Sequence, residues 1–420
     1  MSTEQQPTVV VRMADAGDLY MSWRWEADTY PPGASMLPVA DIDDALRQLA
    51  DALPNLAEPG GLGRALTTGA FASYESEYSV AQRLSQALLP YGLAAQLYDL
   101  HVRGIRPHIR LQPSPRVAQV PWEIIAPDPA LRLIDIADVS LLAPASIAQS
   151  PGRIAQRWND IRNLPVVAVL DPRIPGYRAD STLGSVLGRM DADTPLSRRI
   201  AEYQAQDRLL PTVEDPTDAF RRTDVDRAWL GKVLRDGASR LIYVGHVTAA
   251  APESGQSENA ELHLACTADT VGFATSTRAH RPLSAKDLLL GTYTLTPEPE
   301  GGQQLWPMPS RVALIACESG GDMRFSEALG LVAAMISGGA ELVTASRWAL
   351  PTDLAFQKLA DAVDAHPLQD AICAIDAAHE QPDPVKALAD WQRARLTAWR
   401  RDRTIEHSPI LWAAFATVRT

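Results

Sequence analysis

Beyond Arg157 short, mostly apolar runs alternate with segments of helical spacing, and that alternation leaves few architectures open. The runs occupy residues 166–170, 241–244, 312–316 and 342–345, and helical segments lie around residues 229–234 and 326–336. Strand, helix and strand in succession imply a mainly parallel sheet, because parallel neighbours need a crossover long enough to hold a helix. The fold class expected is therefore α/β, with a mainly parallel sheet sandwiched by helices. Gly338-Gly339 close the segment 326–336 as glycines do where a left-handed cap is needed, and Glu341 restarts the chain as a strand. Residues 312–345 thus read as one compact βαβ unit.

The first third has a different pattern. Residues 9–13 and 19–25 read as strands joined by the turn-prone Ala16-Gly17-Asp18. Ile42, Leu46, Leu49 and Leu53 recur at helical spacing, as do Val80, Leu84 and Leu88. Residues 108–112 and 131–142 are expected strands, on either side of the compact Val120-Pro121-Trp122-Glu123-Ile124-Ile125. A length of 420 residues exceeds what one core supports, and about 150 residues per domain gives two or three domains. The stretch 146–158 is the expected boundary. It separates a smaller α+β structural or regulatory region, residues 1–150, from an α/β domain, residues 151–420. The hairpin and helices of the first region each present one apolar face that another layer must cover, so this region is expected to pack on the second, with Trp122 buried.

Composition narrows the function classes. The chain carries a formal net charge of −12, which argues against tight binding of a phosphate backbone, so no nucleic-acid partner is expected. The start lacks the basic and apolar segments of a secretion signal, and the apolar run 329–336 is far too short to span a bilayer. A cytoplasmic location away from membranes follows as an expectation. Cys266, Cys317 and Cys373 are too few to all pair with one another, so each is read as a nucleophile or a small buried residue. Cys266 lies three residues after His263, but no second pair of ligands at zinc-like spacing follows, and no phosphate-binding glycine motif with its lysine occurs. No metal and no cofactor are expected.

Reactive residues are best sought just after buried runs, since in open α/β sheets the ligand crevice lies beyond the carboxyl ends of the strands. Leu241-Ile242-Tyr243-Val244 leads into Gly245-His246, and Val312-Ala313-Leu314-Ile315-Ala316 leads into Cys317-Glu318-Ser319-Gly320-Gly321. A thiol needs a base to become a nucleophile, and an imidazole within hydrogen-bond reach can take its proton and later return it to a leaving amine. Either residue alone is more simply a buried or loop residue; the two on successive strand ends point to catalysis. Their side chains are expected to meet across adjacent strands, and the glycines after Cys317 would let backbone amides face a developing oxyanion. The histidines at 101, 108, 280, 366, 379 and 407 lack such positions and read as structural or solvated.

These residues resemble the CHAT domain, a caspase-related family of the group that includes separase. The family's Gly-His strand end and its Ala-Cys-x-Ser/Thr-Gly segment read here as Gly245-His246 and Ala316-Cys317-Glu318-Ser319-Gly320. Pro282-Leu283-Ser284-Ala285-Lys286-Asp287-Leu288 is similar to the segment between them. Ser346-Arg347-Trp348-Ala349-Leu350-Pro351-Thr352-Asp353 is similar to the family's Trp-containing loop, residues 409–415 to its closing strand, and Val120 to Ile125 to a Pro-Trp-Glu segment that often precedes it. The resemblance covers residues 106–420. It implies a caspase-like cysteine endopeptidase with His246 and Cys317 catalytic, and Gly245, Glu318, Ser319, Gly320, Arg347, Trp348 and Asp353 in the substrate groove. It further implies site-specific cleavage of a partner protein, such as one encoded nearby, under control of a regulatory partner, as in bacterial defence or cell-death systems. A catalytically silent protein-binding scaffold is the alternative. Val247 stands where many relatives have glycine after the histidine, and Ile315 where several have an acidic residue two places before the cysteine, so the residue preferred before the cut does not carry over.

Overall fold

The computed structural model describes residues 6–325 and 329–420. They form two compact units. The first contains the chain up to Leu142 together with Ala355–Pro367 and Pro382–Thr417; the second contains Ala143–Leu354, Leu368–Gln381 and Val418–Thr420.

In the first unit β1 (Thr8–Ala16) and β2 (Asp18–Trp25) form an antiparallel hairpin around Gly17, whose φ of +80° suits a residue without a Cβ. Their side chains alternate: Val9, Val11, Met13, Leu19, Met21, Trp23 and Trp25 point inward. The edge strand β3 (Gly33–Leu37) pairs with β2, and β4 (His108–Gln112) runs parallel to β1 with β5 (Asp138–Leu142) beyond it. Helices Val39–Ala52 and Tyr74–Leu88 bury the faces that the spacing marks. A further helix, Tyr91–Val102, buries Leu93, Leu97 and Leu100 and exposes Tyr91, Tyr98 and Val102 on its other sides. The expected strand 131–142 is only half a strand, since Leu133–Ile136 make a helical turn before β5. Trp122 lies in a buried 3-10 turn, Trp122–Ile124.

The second unit carries the parallel sheet. Its strands are β6 (Val166–Leu170), β7 (Leu209–Leu210), β8 (Arg240–Val244), β12 (Arg311–Ile315) and β13 (Leu342–Ser346), in the order β13-β12-β8-β6-β7, with every pair parallel. Every residue of β6, β8, β12 and β13 is buried, which explains the continuous apolar runs. Three short strands, β9 (Val247–Thr248), β10 (Glu261–Leu262) and β11 (Leu283–Ser284), form a separate antiparallel sheet between β8 and β12 in sequence. The helix expected over 326–336 is Leu331–Ser337, and Ser326 to Ala328 lie outside the described residues. Gly339, at φ +127°, makes the left-handed exit into β13. Strand β14 (Phe415–Arg419) lies beside β5, and residues 409–412 of its expected span form a helical turn instead. No helix among the described residues is long and apolar enough to cross a membrane.

Candidate active site

Three neighbouring strands of the second unit end at one level. β6 pairs with β8 through Leu170↔Val244, and β8 with β12 through Val244↔Ile315. One residue later Gly245 N–H still donates to Ile315 O at 3.3 Å and Asp171 N–H to Val244 O at 2.6 Å. The residues that leave the sheet there are Asp171, His246 and Cys317. Adjacent strands lie about 4.8 Å apart, so the backbones that carry the imidazole and the thiol are neighbours at the same height. Both residues are half-buried.

The imidazole is held from one side. Its Nε2 lies 3.1 Å from the carbonyl oxygen of Gly184. A carbonyl only accepts, so Nε2 carries the proton and Nδ1 is left with its lone pair. Gly184 owes its position to Asp171, which is buried and sits at φ +50°. The Asp171 carboxylate accepts from Ser185 Oγ at 2.5 Å, Val186 N–H at 3.1 Å and Leu187 N–H at 3.4 Å. Arg221 completes the clamp, its Nη1 reaching Asp171 Oδ1 at 3.3 Å and Gly184 O at 3.1 Å. On the other side Tyr243 Oη donates within reach of His246 O, 2.6 Å, and His263 O, 2.8 Å. A Cβ at Gly245 would stand 2.8 Å from that hydroxyl, which is why the residue before the histidine is glycine. Gly245→Ala is expected to push Tyr243 off these carbonyls and reorient His246, with loss of function and a lowered melting temperature, because the buried hydroxyl loses its acceptors; unchanged function would show that the close approach is unimportant.

The thiol has its own partner. Cys317 Sγ accepts from Leu350 N–H at 3.4 Å, and among the contacts of the described residues no hydrogen bond joins it to His246. The amides that follow it are engaged within the protein: Glu318 N–H with Trp348 O at 3.2 Å, Ser319 N–H with Ala316 O at 3.3 Å, Gly320 N–H with Ser346 O at 2.9 Å, and Gly321 N–H with Glu318 O at 3.0 Å. The amides of Gly320 and Gly321 therefore do not face an oxyanion in this state. Among the described residues the amide of Cys317 itself donates to no backbone carbonyl.

Gly320 fits tightly over β13, where a Cβ would stand 3.1 Å from Ser346 O. Ser319 is buried, its hydroxyl donating to Leu314 O at 2.6 Å, and Glu318, at φ +51°, pairs with Arg324 at 2.9 Å. The loop after β13 lies inside: Arg347, Trp348 and Asp353 are all buried, and Asp353 Oδ1 accepts from Leu368 N–H at 2.7 Å. The thiol and imidazole are thus brought to one sheet edge, while Arg347, Trp348 and Asp353 present little surface to a substrate.

Burial dominates the electrostatics. It lowers the His246 pKa below the ordinary imidazole value, more than the Gly184 hydrogen bond and Asp171 raise it. It raises the Cys317 thiol, only partly offset by the Leu350 amide. Both groups are therefore uncharged near neutral pH. Cys266 and Cys373 are also unpaired and raised by burial, Cys373 to about 12. His263 and His280 form a buried pair at 3.0 Å, with Thr248 Oγ1 on His263 Nε2 and Cys266 O on His280 Nδ1; burial pushes His263 down to about 3. Their ring nitrogens are all used internally, and no three His, Cys, Asp or Glu side chains among the described residues converge as metal ligands.

Asp171, Arg221 and Gly184 are the site residues that sequence reasoning misses. A signal existed for Asp171, which directly follows the apolar run 166–170. None existed for Gly184, whose contribution is a backbone carbonyl.

Comparison with known proteins places the chain in context. The family model described as "CHAT domain" matches residues 79–420. No curated protein matches the chain. Among solved structures, the Saccharomyces cerevisiae separase–securin complex is similar over 99% of this chain at 9% identity, with a TM-score of 0.49. The match spans 30% of that other chain.

Proposed function

Since this chain belongs to the CHAT domain family, we propose that it is a cysteine endopeptidase that uses His246 as base and Cys317 as nucleophile to cut a partner protein at one or few sites. The observation that carries this reading is the pairing register, which brings both residues to neighbouring ends of β8 and β12 while Gly184 O leaves Nδ1 of His246 unprotonated. Nδ1 takes the thiol proton as Sγ attacks the carbonyl carbon of the scissile peptide. The tetrahedral oxyanion faces the Cys317 amide. The C–N bond then breaks as the imidazolium returns the proton to the leaving amine, and water hydrolyses the thioester with Nδ1 again as base.

On this reading the conformation is a resting one. Catalysis requires the loop after β13 to release the amides of Glu318 and Gly320 and to turn Arg347 or Trp348 toward the substrate. Partner binding is the proposed trigger. The link to bacterial defence or cell death, and a cytoplasmic site of action, rest on the family resemblance and on the three unpaired cysteines.

The test is covalent labelling with a panel of peptidyl acyloxymethyl ketones, read by peptide mapping. Labelling of Cys317 in the wild type but not in His246→Ala supports the proposal, and equal labelling in both contradicts it. A catalytically silent scaffold is the second reading, favoured by the missing thiol–imidazole hydrogen bond, and a Cys317→Ala protein with full biological function would establish it.

Asp171 acts on the reaction as a positioning residue, through Gly184. Asp171→Ala is expected to lower kcat by about 10- to 100-fold with KM little changed, because the base loses its orientation rather than its chemistry. Asp171→Asn, which keeps an acceptor, should recover part of the loss. Equal activity of all three proteins would remove Asp171 from the site.

A further inference from the structure

We infer that the outward face of the N-terminal hairpin is a docking surface for a carboxylate-rich peptide segment of a partner protein. The register brings three arginines together on this face. Arg24 of β2 and Arg110 of β4 both lie opposite Val10, and Arg12 of β1 lies opposite Ser22, one step diagonally from Arg24. Like charges at such positions repel, so their proximity gives the isolated fold no benefit. Arg110 is compensated by Glu26 at 3.2 Å. The side chains of Arg12 and Arg24 are exposed and, among the described residues, make no ion pair or hydrogen bond. Two uncompensated guanidiniums thus stand side by side on a chain of net charge −12.

They border a hollow of about 520 Å³ whose lining includes Val10, Ser22 and Gly33. Next to it Tyr20 and Met36 form a directly opposed cross-strand pair, each about half exposed at 49% and 51%. Among the described residues the outer side of β3 carries no further strand. Planar guanidiniums bind carboxylates bidentately, and the apolar pair beside them accepts one hydrophobic side chain. A nucleic acid fits less well, because Glu26 lies in the wall of the hollow and two free cations are too few for a phosphate backbone. The occupant that matches is an acidic segment with an apolar residue among its carboxylates.

The test uses fluorescence anisotropy with the full chain and a fluorescein-labelled peptide of eight glutamates around one central leucine. Arg12→Glu/Arg24→Glu is expected to weaken binding by about tenfold or more, and added salt to weaken wild-type binding. An Arg47→Glu/Lys232→Glu control changes the net charge equally on helix surfaces elsewhere and should bind like the wild type. Equal losses in the two double variants, or no measurable binding by the wild type, would overturn the inference. Tighter binding of a labelled oligouridylate than of the peptide would overturn it in favour of nucleic acid. Matching circular dichroism spectra and melting curves verify folding. The outcome is independent of whether Cys317 is catalytic.

Discussion

Replacing His246 by alanine is expected to lower kcat for peptide-bond cleavage by about 10²- to 10⁴-fold, the usual contribution of a positioned general acid–base group. The same protein should keep its fold, since the imidazole makes one side-chain hydrogen bond, to Gly184 O. The pH dependence has a definite sign. Burial lowers the His246 pKa, so Nδ1 stays unprotonated further into acid than an ordinary imidazole would. The acid limb of kcat/KM is therefore expected below pH 6.5, the reference value for a histidine. A limb centred above neutral pH would mean that a carboxylate or another partner holds the imidazolium, which this geometry does not provide.

Asp376→Ala is expected to destabilise the second unit by about 3–5 kcal/mol, the cost of breaking a buried ion pair from one side. Arg240, the first residue of β8, is buried and directs Nη1 to Asp376 Oδ1 at 2.7 Å and to Asp376 O at 2.6 Å. Arg199 Nε reaches Asp376 Oδ2 at 2.6 Å, and Tyr203 Oη donates to the same oxygen at 2.5 Å. Without the carboxylate two guanidiniums lose their main counter-charge, and one of them has no route to water. Burial by itself would raise the Asp376 carboxyl, but Arg240 and Arg199 outweigh it and hold the pKa below the usual value. A depressed carboxylate stabilises the fold above its unfolded pKa, near about 4, and this contribution fades as pH falls through the folded value. Urea unfolding should therefore show the variant's deficit at neutral pH shrinking in strong acid. An Asp376→Ala protein as stable as wild type at pH 7 would show that the network is dispensable. Because β8 also presents His246, lost stability and lost activity are separated by assaying well below the unfolding transition.

Much of the fold is legible because buried parallel strands leave little choice of residue. The runs 166–170, 241–244, 312–316 and 342–345 fall on β6, β8, β12 and β13, whose residues are all buried, and the reactive residues follow from the ends of those runs. Where the pattern is silent, the reason is physical. Residues 91–102 also expose Tyr91, Tyr98 and Val102, so the buried stripe of Leu93, Leu97 and Leu100 does not stand out against them. Leu133–Ile136 read as strand by composition, yet Asp135 caps a helical turn by accepting from Arg132 N–H at 2.7 Å. The position of Trp348 depends on whether its loop folds inward, which local sequence does not encode; here it is buried with its carbonyl on Glu318 N–H. The clamp on His246 is legible only in part, because Asp171 is an ordinary loop residue until Gly184 and Arg221 arrive from distant positions.

The proposed peptidase function turns on Cys317. Wild-type and Cys317→Ala proteins would each be incubated with the proteins encoded beside this chain, singly and in combination, and the products identified by mass spectrometry. The account predicts one or few discrete fragments in the wild-type reactions and none with Cys317→Ala. Identical products from both proteins, or a Cys317→Ala protein that performs the full biological function, would contradict it.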